Sequence, residues 1–594
     1  MCGILGIAAA GRAPAVLDLV ELLRHRGPDG EGRRVDDHVG LAMRRLAIID
    51  LDTGDQPVEN EAGDVVAICN GEIYNYRELR AELVARGHTF RGEGDVEVIP
   101  HLYEELGERC FERLRGMFAV ALRDEREQRL VLARDRFGIK PLYLADTPSG
   151  FMFSSEIRPL LAAGASAEVD VEAVADYLAY GYVPGEATGV AGVRKLAPGH
   201  VWVDGVERPY WSLEPDASAP LEETLAEAVR LHLRSDVPLA VLLSGGLDSS
   251  LIAALAAAEL DEPLRTFTVG FADAELDERE HARAVAHAVG SVHRELVVET
   301  DVAEDLPEIA ARLEQPLADV AAVPLWYLCR AVAGEVKVAL AGDGGDEVFG
   351  GYSRYAWDPR AAGVGRLLPR ALLERVPRVG GGRKAFSRRA AKLLRNAGKP
   401  DAARYLAWFE VLSADARAAL VDAAAPPERH FEALFARAPS SSTRLGRLQH
   451  VDLFSFVADN LMLKADKLSM AHSLELRVPF LDHRVVELGL GLPDGAKVRG
   501  VRTKVALRRL VERRFGTELA RRPKQGFDAP AERWLHGELR ELAGDAIGTL
   551  DGVVDVDAAR PLRGQAQWSL LMLALWRQSL GAAARSHVTS RVSA

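Results

Sequence analysis

Val241-Leu-Leu-Ser-Gly-Gly-Leu-Asp-Ser-Ser250 decides the architecture of the larger part of this chain. It closes the apolar run Pro238–Leu243, which has strand length, and opens the Ala-rich helical pattern Ser250–Leu260. Gly245 and Gly246 let backbone approach a ligand closely, and a helix N-terminus favours an anion. Ser244, Ser249 and Ser250 add hydroxyl donors. Glycines and serines also make ordinary strand–helix turns, but directly after an apolar strand this set reads as a phosphate cradle. The GxxxxGK[ST] pattern is absent, which excludes a P-loop kinase or GTPase. A bare Asp248 would repel phosphate; a bridging Mg²⁺ removes that conflict.

Working outward, Leu221–Leu233 and Asp277–Val289 have helical spacing, while Thr266–Phe271 and Val336–Ala341 are strand-like. Strands alternating with helices predict a parallel α/β sheet. A second acidic Gly-rich segment, Leu340-Ala-Gly-Asp-Gly-Gly-Asp-Glu-Val-Phe-Gly-Gly-Tyr352, follows the last of these strands. Parallel strands end on one edge, where open sheets bind ligands. Asp248 and Asp346 can then share a Mg²⁺–pyrophosphate unit, leaving Asp343 as a proton acceptor. Helical patterns dominate from about residue 355. The stretch Arg366–Arg395 holds ten Lys/Arg and one acid, Glu374. It reads as a solvated helical surface, without the aromatic interleaving of a nucleic-acid site.

Residues 2–205 have a different character. Short runs (Gly3–Ala8, Leu46–Asp50, Val65–Cys69, Met117–Leu122, Leu130–Ala133, Phe151–Phe153) recur between turn residues, predicting a sheet-rich, antiparallel domain. The polar stretch 206–220 reads as a connector to a second domain, 221–594. Cys2 follows Met1, so removal of Met1 would leave a thiol beside its own α-amine. That amine titrates near ~7.7–8.0, in the range a general base needs. Thiolate attack on a carboxamide would release ammonia through a thioester. A substrate with an α-ammonium and an α-carboxylate needs one cation and one or two anions. Arg45 at the entrance of the predicted strand Leu46–Asp50, Glu72, and Asp95 in the GEGDVE loop supply them. Asn70 can donate to an oxyanion, and Gly71 lets a backbone N–H come close.

MCGILGI, RHRGPDG, RRLAIIDL, GDQP, CNGEIYNYREL and ARDRFGIKPLY occur in that order. Together they resemble the class II glutamine amidotransferases, an N-terminal-nucleophile fold, over roughly residues 2–160. The resemblance makes Cys2 the nucleophile, and Asn70 and Gly71 the oxyanion hole. Arg45 would hold the glutamine carboxylate, with Glu72 and Asp95 near its amino group. The two Gly-rich turns, with Asp466-Lys467, Leu474-Glu475-Leu-Arg477-Val-Pro-Phe-Leu-Asp482, Lys504 and Arg522-Pro-Lys524-Gln-Gly-Phe527, resemble the N-type ATP pyrophosphatase domain of asparagine synthetases. In that family a substrate carboxylate attacks the α-phosphorus of ATP, pyrophosphate leaves, and the acyl-adenylate is aminated. The resemblance implies ATP contacts from Leu243, Ser244, Gly245, Gly246, Asp248, Ser249, Ser250, Val269, Gly342, Lys467, Arg477 and Lys524. Asp248 and Asp346 would hold Mg²⁺. Asp343 stands where some relatives carry a glutamate.

The expected fold is therefore an α+β N-terminal sandwich of the Ntn-hydrolase type followed by an α/β parallel-sheet ATP pyrophosphatase domain with a helical C-terminal half. The expected partners are glutamine and aspartate or another small carboxylate, with a homodimer as the assembly. An amidotransferase of the same fold acting on a carboxylate in a peptide, polysaccharide or secondary metabolite is the alternative. An intact Cys2 counts against a ring-closing synthetase of the β-lactam type, and the full motif set against a non-catalytic nucleotide or glutamine sensor. Ammonium has no lone pair, so two separate sites call for an enclosed passage, for which small apolar interface residues would be suited. With 74 basic and 87 acidic residues the net charge is −13, which excludes nucleic acid in the absence of a segregated basic patch. The apolar run around Val241–Leu260 is broken by Asp248, so no membrane span is expected. Four cysteines without CxxC spacing, and no signal-peptide pattern, predict a reduced cytoplasmic enzyme.

Overall fold

Strand Cys2–Ala8 alternates its side chains between two cores, and this period of two builds the first domain. In the computed structural model, residues 2–9, 17–271, 279–298, 301–369, 373, 385–522 and 529–592 are described. The first sheet runs Val193–Lys195, Tyr143–Thr147, Gly150–Ser154, Cys2–Ala8, Val39–Arg45, Gly30–Val35. The second runs Val206–Pro209, His200–Val203, Arg129–Arg134, Gly116–Asp124, Val65–Ile73, Val58–Glu59. All pairings within both sheets are antiparallel.

Cys2, Ile4, Val39, Leu41 and Met43 of the first sheet meet Val66, Ile68, Ala119 and Ala121 of the second in one buried layer. The outer face of the second sheet (Val65, Ala67, Cys69) packs with residues of helices Tyr76–Ala85 and Val98–Leu106. Leu5 and Ile7, on the other face of the first sheet, pack with helices Ile157–Ala162 and Val171–Tyr180. The domain is thus a helix–sheet–sheet–helix sandwich, as expected.

Two sequence expectations need correction. Leu46–Asp50 is a loop, and the strand is Val39–Arg45, which Arg45 ends rather than precedes. Leu46, Ile48 and Ile49 are apolar because they plug the core as loop residues. The connector begins later than expected, since Val206–Pro209 pairs with His200–Val203 as an edge hairpin.

The second domain holds a five-stranded parallel sheet, ordered Val292–Val298, Arg265–Phe271, Leu239–Leu242, Val338–Leu340, Glu475–Arg477. The last strand comes from the half in which helical patterns dominate. Its two charged residues are fully buried and paired with each other, which hides it from an apolar pattern. Both outer cores of the sandwich continue into this domain, so apolar packing fuses the two units.

Candidate active site

Residues 39, 41 and 43, like 66 and 68, face the layer between the sheets, so Arg45, Asn70 and Glu72 share that parity with Cys2. Antiparallel register sets Cys2 opposite Arg45. The Cys2 backbone N–H donates to Asn70 Oδ1 at 3.3 Å. The Asn70 amide is 3.4 Å from Ser155 Oγ, which also accepts from the Ile4 N–H at 3.0 Å. Gly71 tolerates no side chain: a Cβ would lie 2.1 Å from the Met117 carbonyl oxygen. Burial pushes the Cys2 thiol above its ordinary value, so attack needs a base.

The Arg45 guanidinium is fixed by the carbonyls of Ile49 (3.2 Å) and Asp50 and by Asp55 Oδ1 at 2.9 Å. Asp55 is 81% exposed on its side chain, so a substrate carboxylate can take its place. Asp95 accepts the Ile73 N–H at 2.8 Å, yet burial raises its carboxyl to about 6. Two groups escaped the sequence reading. Gln56, from the GDQP motif, sets its amide 4.0 Å from Cys2 Sγ and accepts the Cys69 N–H at 2.7 Å. Arg26, from RHRGPDG, donates to the Cys2 carbonyl at 3.3 Å and forks onto Asp466 of the second domain at 2.9 and 3.1 Å.

In the second domain, Leu239–Leu242 and Val338–Leu340 are parallel neighbours, so both Gly-rich turns leave the same edge. They border a cavity of about 470 Å³. Leu243, Ser244, Gly246, Asp248, Ser249, Val269, Gly342, Asp343 and Asp346 line it. Gly245 and Ser250 stand just behind, and Arg522 donates to the Gly245 carbonyl at 2.5 Å. Lys504, in left-handed backbone at φ 53°, inserts its ammonium between Asp248 and Asp346, 2.6 Å from Asp346 Oδ1. Those two carboxylates raise the Lys504 pKa despite burial. The sequence alone assigns Lys504 no role. Lys464 paired with Asp319, Tyr352 bonded to Glu347 at 2.6 Å, and Arg508 also face the cavity.

Two expected nucleotide contacts lie elsewhere. Lys467 is buried against Glu314 (2.6 Å) and the Ser155 carbonyl (3.3 Å), which draws its ammonium into the domain interface. Arg477 is fully buried. It binds Glu475, the carbonyls of His232 (2.7 Å) and Arg234 (2.5 Å), and approaches Glu72 to 3.4 Å. Neither lines the cavity, because their strong anionic partners are at the sandwich side. Lys524 lies outside the described residues.

Strand Glu475–Arg477 is therefore a partition. Leu476 faces the cavity, while Glu475 and Arg477 face Glu72 and Tyr74 of the sandwich. Helix Met462–Met470 divides its faces similarly: Lys464 and Ala465 line the cavity, and Met462 and Asp466 line a small void between the domains. Beside the apolar cores that the two domains share, the interface carries buried ion pairs. Its buried ions persist because each has a partner: Arg26 and Lys140 on Asp466, Lys195 on Asp459, Arg115 on Asp482.

A buried thiol beside Asn70 and an acid-lined cavity thus sit on opposite sides of one strand, and the chain's two halves define the class: a glutamine amidotransferase joined to a synthetase. Residues 1–211 match the family described as "Glutamine amidotransferase domain", and residues 220–578 match "Asparagine synthase". The chain belongs to the asparagine synthase family. It is 34% identical to Asparagine synthetase [glutamine-hydrolyzing] 1 of Bacillus subtilis, over 92% of this chain and 90% of that one. It is 36% identical to a putative asparagine synthetase [glutamine-hydrolyzing] of Mycobacterium bovis, over 97% of each. Amidase chry2 of Gibberella zeae is 29% identical, over 91% of this chain and 89% of its own length.

Proposed function

We propose that this protein is a glutamine-dependent, ATP-consuming amide synthetase whose acceptor is aspartate and whose products are asparagine, AMP, pyrophosphate and glutamate. The reading rests above all on Asp248 and Asp346 converging on one cation at the rim of a cavity, in a chain whose Cys2 faces Asn70. At the sandwich, removal of Met1 turns the Cys2 nitrogen, already held by Asn70, into a free amine. The thiol attacks the glutamine carboxamide carbon and its proton passes through that amine to the departing ammonia. Water then cleaves the thioester, giving glutamate and the free thiol. Asn70 Nδ2 and the Gly71 N–H are the donors for the oxyanion.

At the cavity, the acceptor carboxylate oxygen attacks the α-phosphorus and pyrophosphate leaves. Ammonia attacks the acyl carbon, AMP departs, and Asp343 takes the surplus proton. The cradle fits a hard divalent cation. Two carboxylates reach a single ammonium, and a Cβ on Gly345 or Gly351 would come 2.8 Å from Asp248 Cγ or 1.7 Å from Asp346 Oδ1. Mg²⁺ held by Asp248 and Asp346 would neutralise the pyrophosphate oxygens. Lys464, Arg508, Asp319 and Glu347 offer both signs of charge to an amino-acid acceptor. The deciding assay is pyrophosphate release across a panel of carboxylic acids. Aspartate should give the highest kcat/KM; preference for another acid would overturn the acceptor.

Glutamine binding should also depend on pH through Asp95. Its carboxyl titrates at about 6, and only the carboxylate attracts the substrate ammonium. Bound ammonium favours the ionised form, so affinity is full above that value and falls as pH drops through it. KM for glutamine should rise by about tenfold per pH unit on the acidic side. Asp95→Asn should erase this inflection; a profile flat in the native protein would remove Asp95 from the ammonium contact.

No helix among the described residues is long and apolar enough to cross a membrane.

A further inference from the structure

On the flank of the sandwich away from the interlayer, four side chains that the amidation chemistry does not use come together: Glu61, His88, His101 and Glu104. Their potential ligand atoms all lie within 4.8 Å of one another. Glu61 belongs to the turn between strands Val58–Glu59 and Val65–Ile73. His88 follows helix Tyr76–Ala85, while His101 and Glu104 sit three residues apart on one face of helix Val98–Leu106.

The independent observation is His101. It is fully buried, and neither ring nitrogen has a hydrogen-bond partner. Its Nδ1 is 3.2 Å from Glu61 Oε2 without hydrogen-bond alignment. A buried imidazole whose nitrogens make no aligned hydrogen bond is costly, and a metal ion on one of them would relieve part of that cost. Partners around the cluster are arranged as metal ligands require. His88 turns Nδ1 towards Glu61 Oε1 (3.1 Å) and Nε2 towards Glu105 Oε1 (3.2 Å), the carboxylate–imidazole relay that fixes a ligating tautomer. Glu61 Oε1 also accepts the Thr89 N–H at 2.7 Å, and Asn60 Nδ2 donates to Glu104 Oε2 at 3.1 Å. The only nearby cation on a cluster carboxylate among the described residues is Arg126, 3.9 Å from Glu104.

We propose that Glu61, His88, His101 and Glu104 form a closed four-coordinate site for a divalent transition ion of the zinc type. Two imidazoles and two carboxylates suit that ion better than Mg²⁺. Tetrahedral zinc with N and O ligands sets those atoms about 3.4 Å apart, so side-chain movement alone closes the cluster. The ion would clip the loop between His88 and His101 to the neighbouring hairpin. That loop carries Asp95, so the metal would rigidify one wall of the glutamine pocket from outside.

The test uses the full chain, stripped with a chelator and titrated with Co²⁺ in the absence of nucleotide. The native protein should show the visible absorption of four-coordinate Co²⁺, saturating at one ion per chain and displaced by Zn²⁺. Zn²⁺ should raise its Tm. His101→Gln and His88→Gln should abolish the band, and Glu105→Gln should weaken binding roughly 10–100-fold. Asp346→Ala, altered only in the nucleotide cavity, should keep it. Should His101→Gln fail to fold, His88→Gln, in a loop, decides alone. A native chain without the band, or a band that survives His88→Gln, overturns the site. Because the readout is spectroscopic, failure here leaves the amidation reading untouched, and failure of that reading leaves this one.

Discussion

Cys2→Ala should lower glutamine-supported amide formation by more than about 10⁴-fold while ammonium-supported formation continues at its native rate. The loss is large because the nucleophile itself is removed, and no neighbouring group can replace it. Gln56 and Asn70 supply hydrogen bonds but no nucleophile. The fold should survive. Cys2 pairs with Arg45 through its backbone, and the thiol's hydrogen bonds are the long contact with Gln56 and one with the Leu46 backbone. Ammonium chloride bypasses the sandwich and feeds the cavity directly. Equal loss with both nitrogen sources would mean that the thiol acts in the synthetase chemistry, and the two-site reading would fall.

Asp346→Ala should cut pyrophosphate release by about 10²- to 10³-fold with either nitrogen source, as expected when a charge-stabilising group at the reacting phosphates is removed. Asp346 lies in the first turn of the short helix Gly345–Phe349 and shares the Lys504 ammonium with Asp248. Without it the ammonium pairs with Asp248 alone, and half of the carboxylate pair for Mg²⁺ is gone. Glutaminase turnover, measured as glutamate release without ATP, should persist in the variant. Asp346→Asn keeps the shape and removes the charge, so it separates electrostatics from packing around Gly351. Undiminished pyrophosphate release from both variants would take Asp346 out of the metal role.

The sequence made the cavity legible because its parts are local. The end of a strand, a Gly-rich turn and the start of a helix fall within ten consecutive residues, 241–250, and their period change is visible without tertiary knowledge. Cys2, Arg45, Asn70 and Glu72 were also accessible, since ordered motifs and a period of two bring them to one face. What failed was information that only tertiary contacts carry. Strand Val39–Arg45 is buried along its whole length, so alternation between polar and apolar residues is lost. Glu475–Arg477 is a strand whose charges are satisfied by each other and by groups from distant parts of the chain. Lys504 lies in an Arg-rich stretch that gives no reason to single it out. Lys467 and Arg477 were assigned through motif membership, which does not say towards which chamber a side chain points. The His88–His101 cluster was invisible for the same reason: its members are scattered over four separate positions between 61 and 104.

The shared wall at Glu475–Arg477 ties the evolution of the two chambers together. Successive side chains of a strand project in opposite directions, so adding or deleting one residue before Leu476 would rotate the register by half a pleat. Leucine would then be offered to the glutaminase and two opposite charges to the nucleotide. Length changes at this segment should therefore be forbidden even where substitutions are tolerated, and neither half-enzyme can be exchanged for a foreign one unless the donor brings a strand of identical phase.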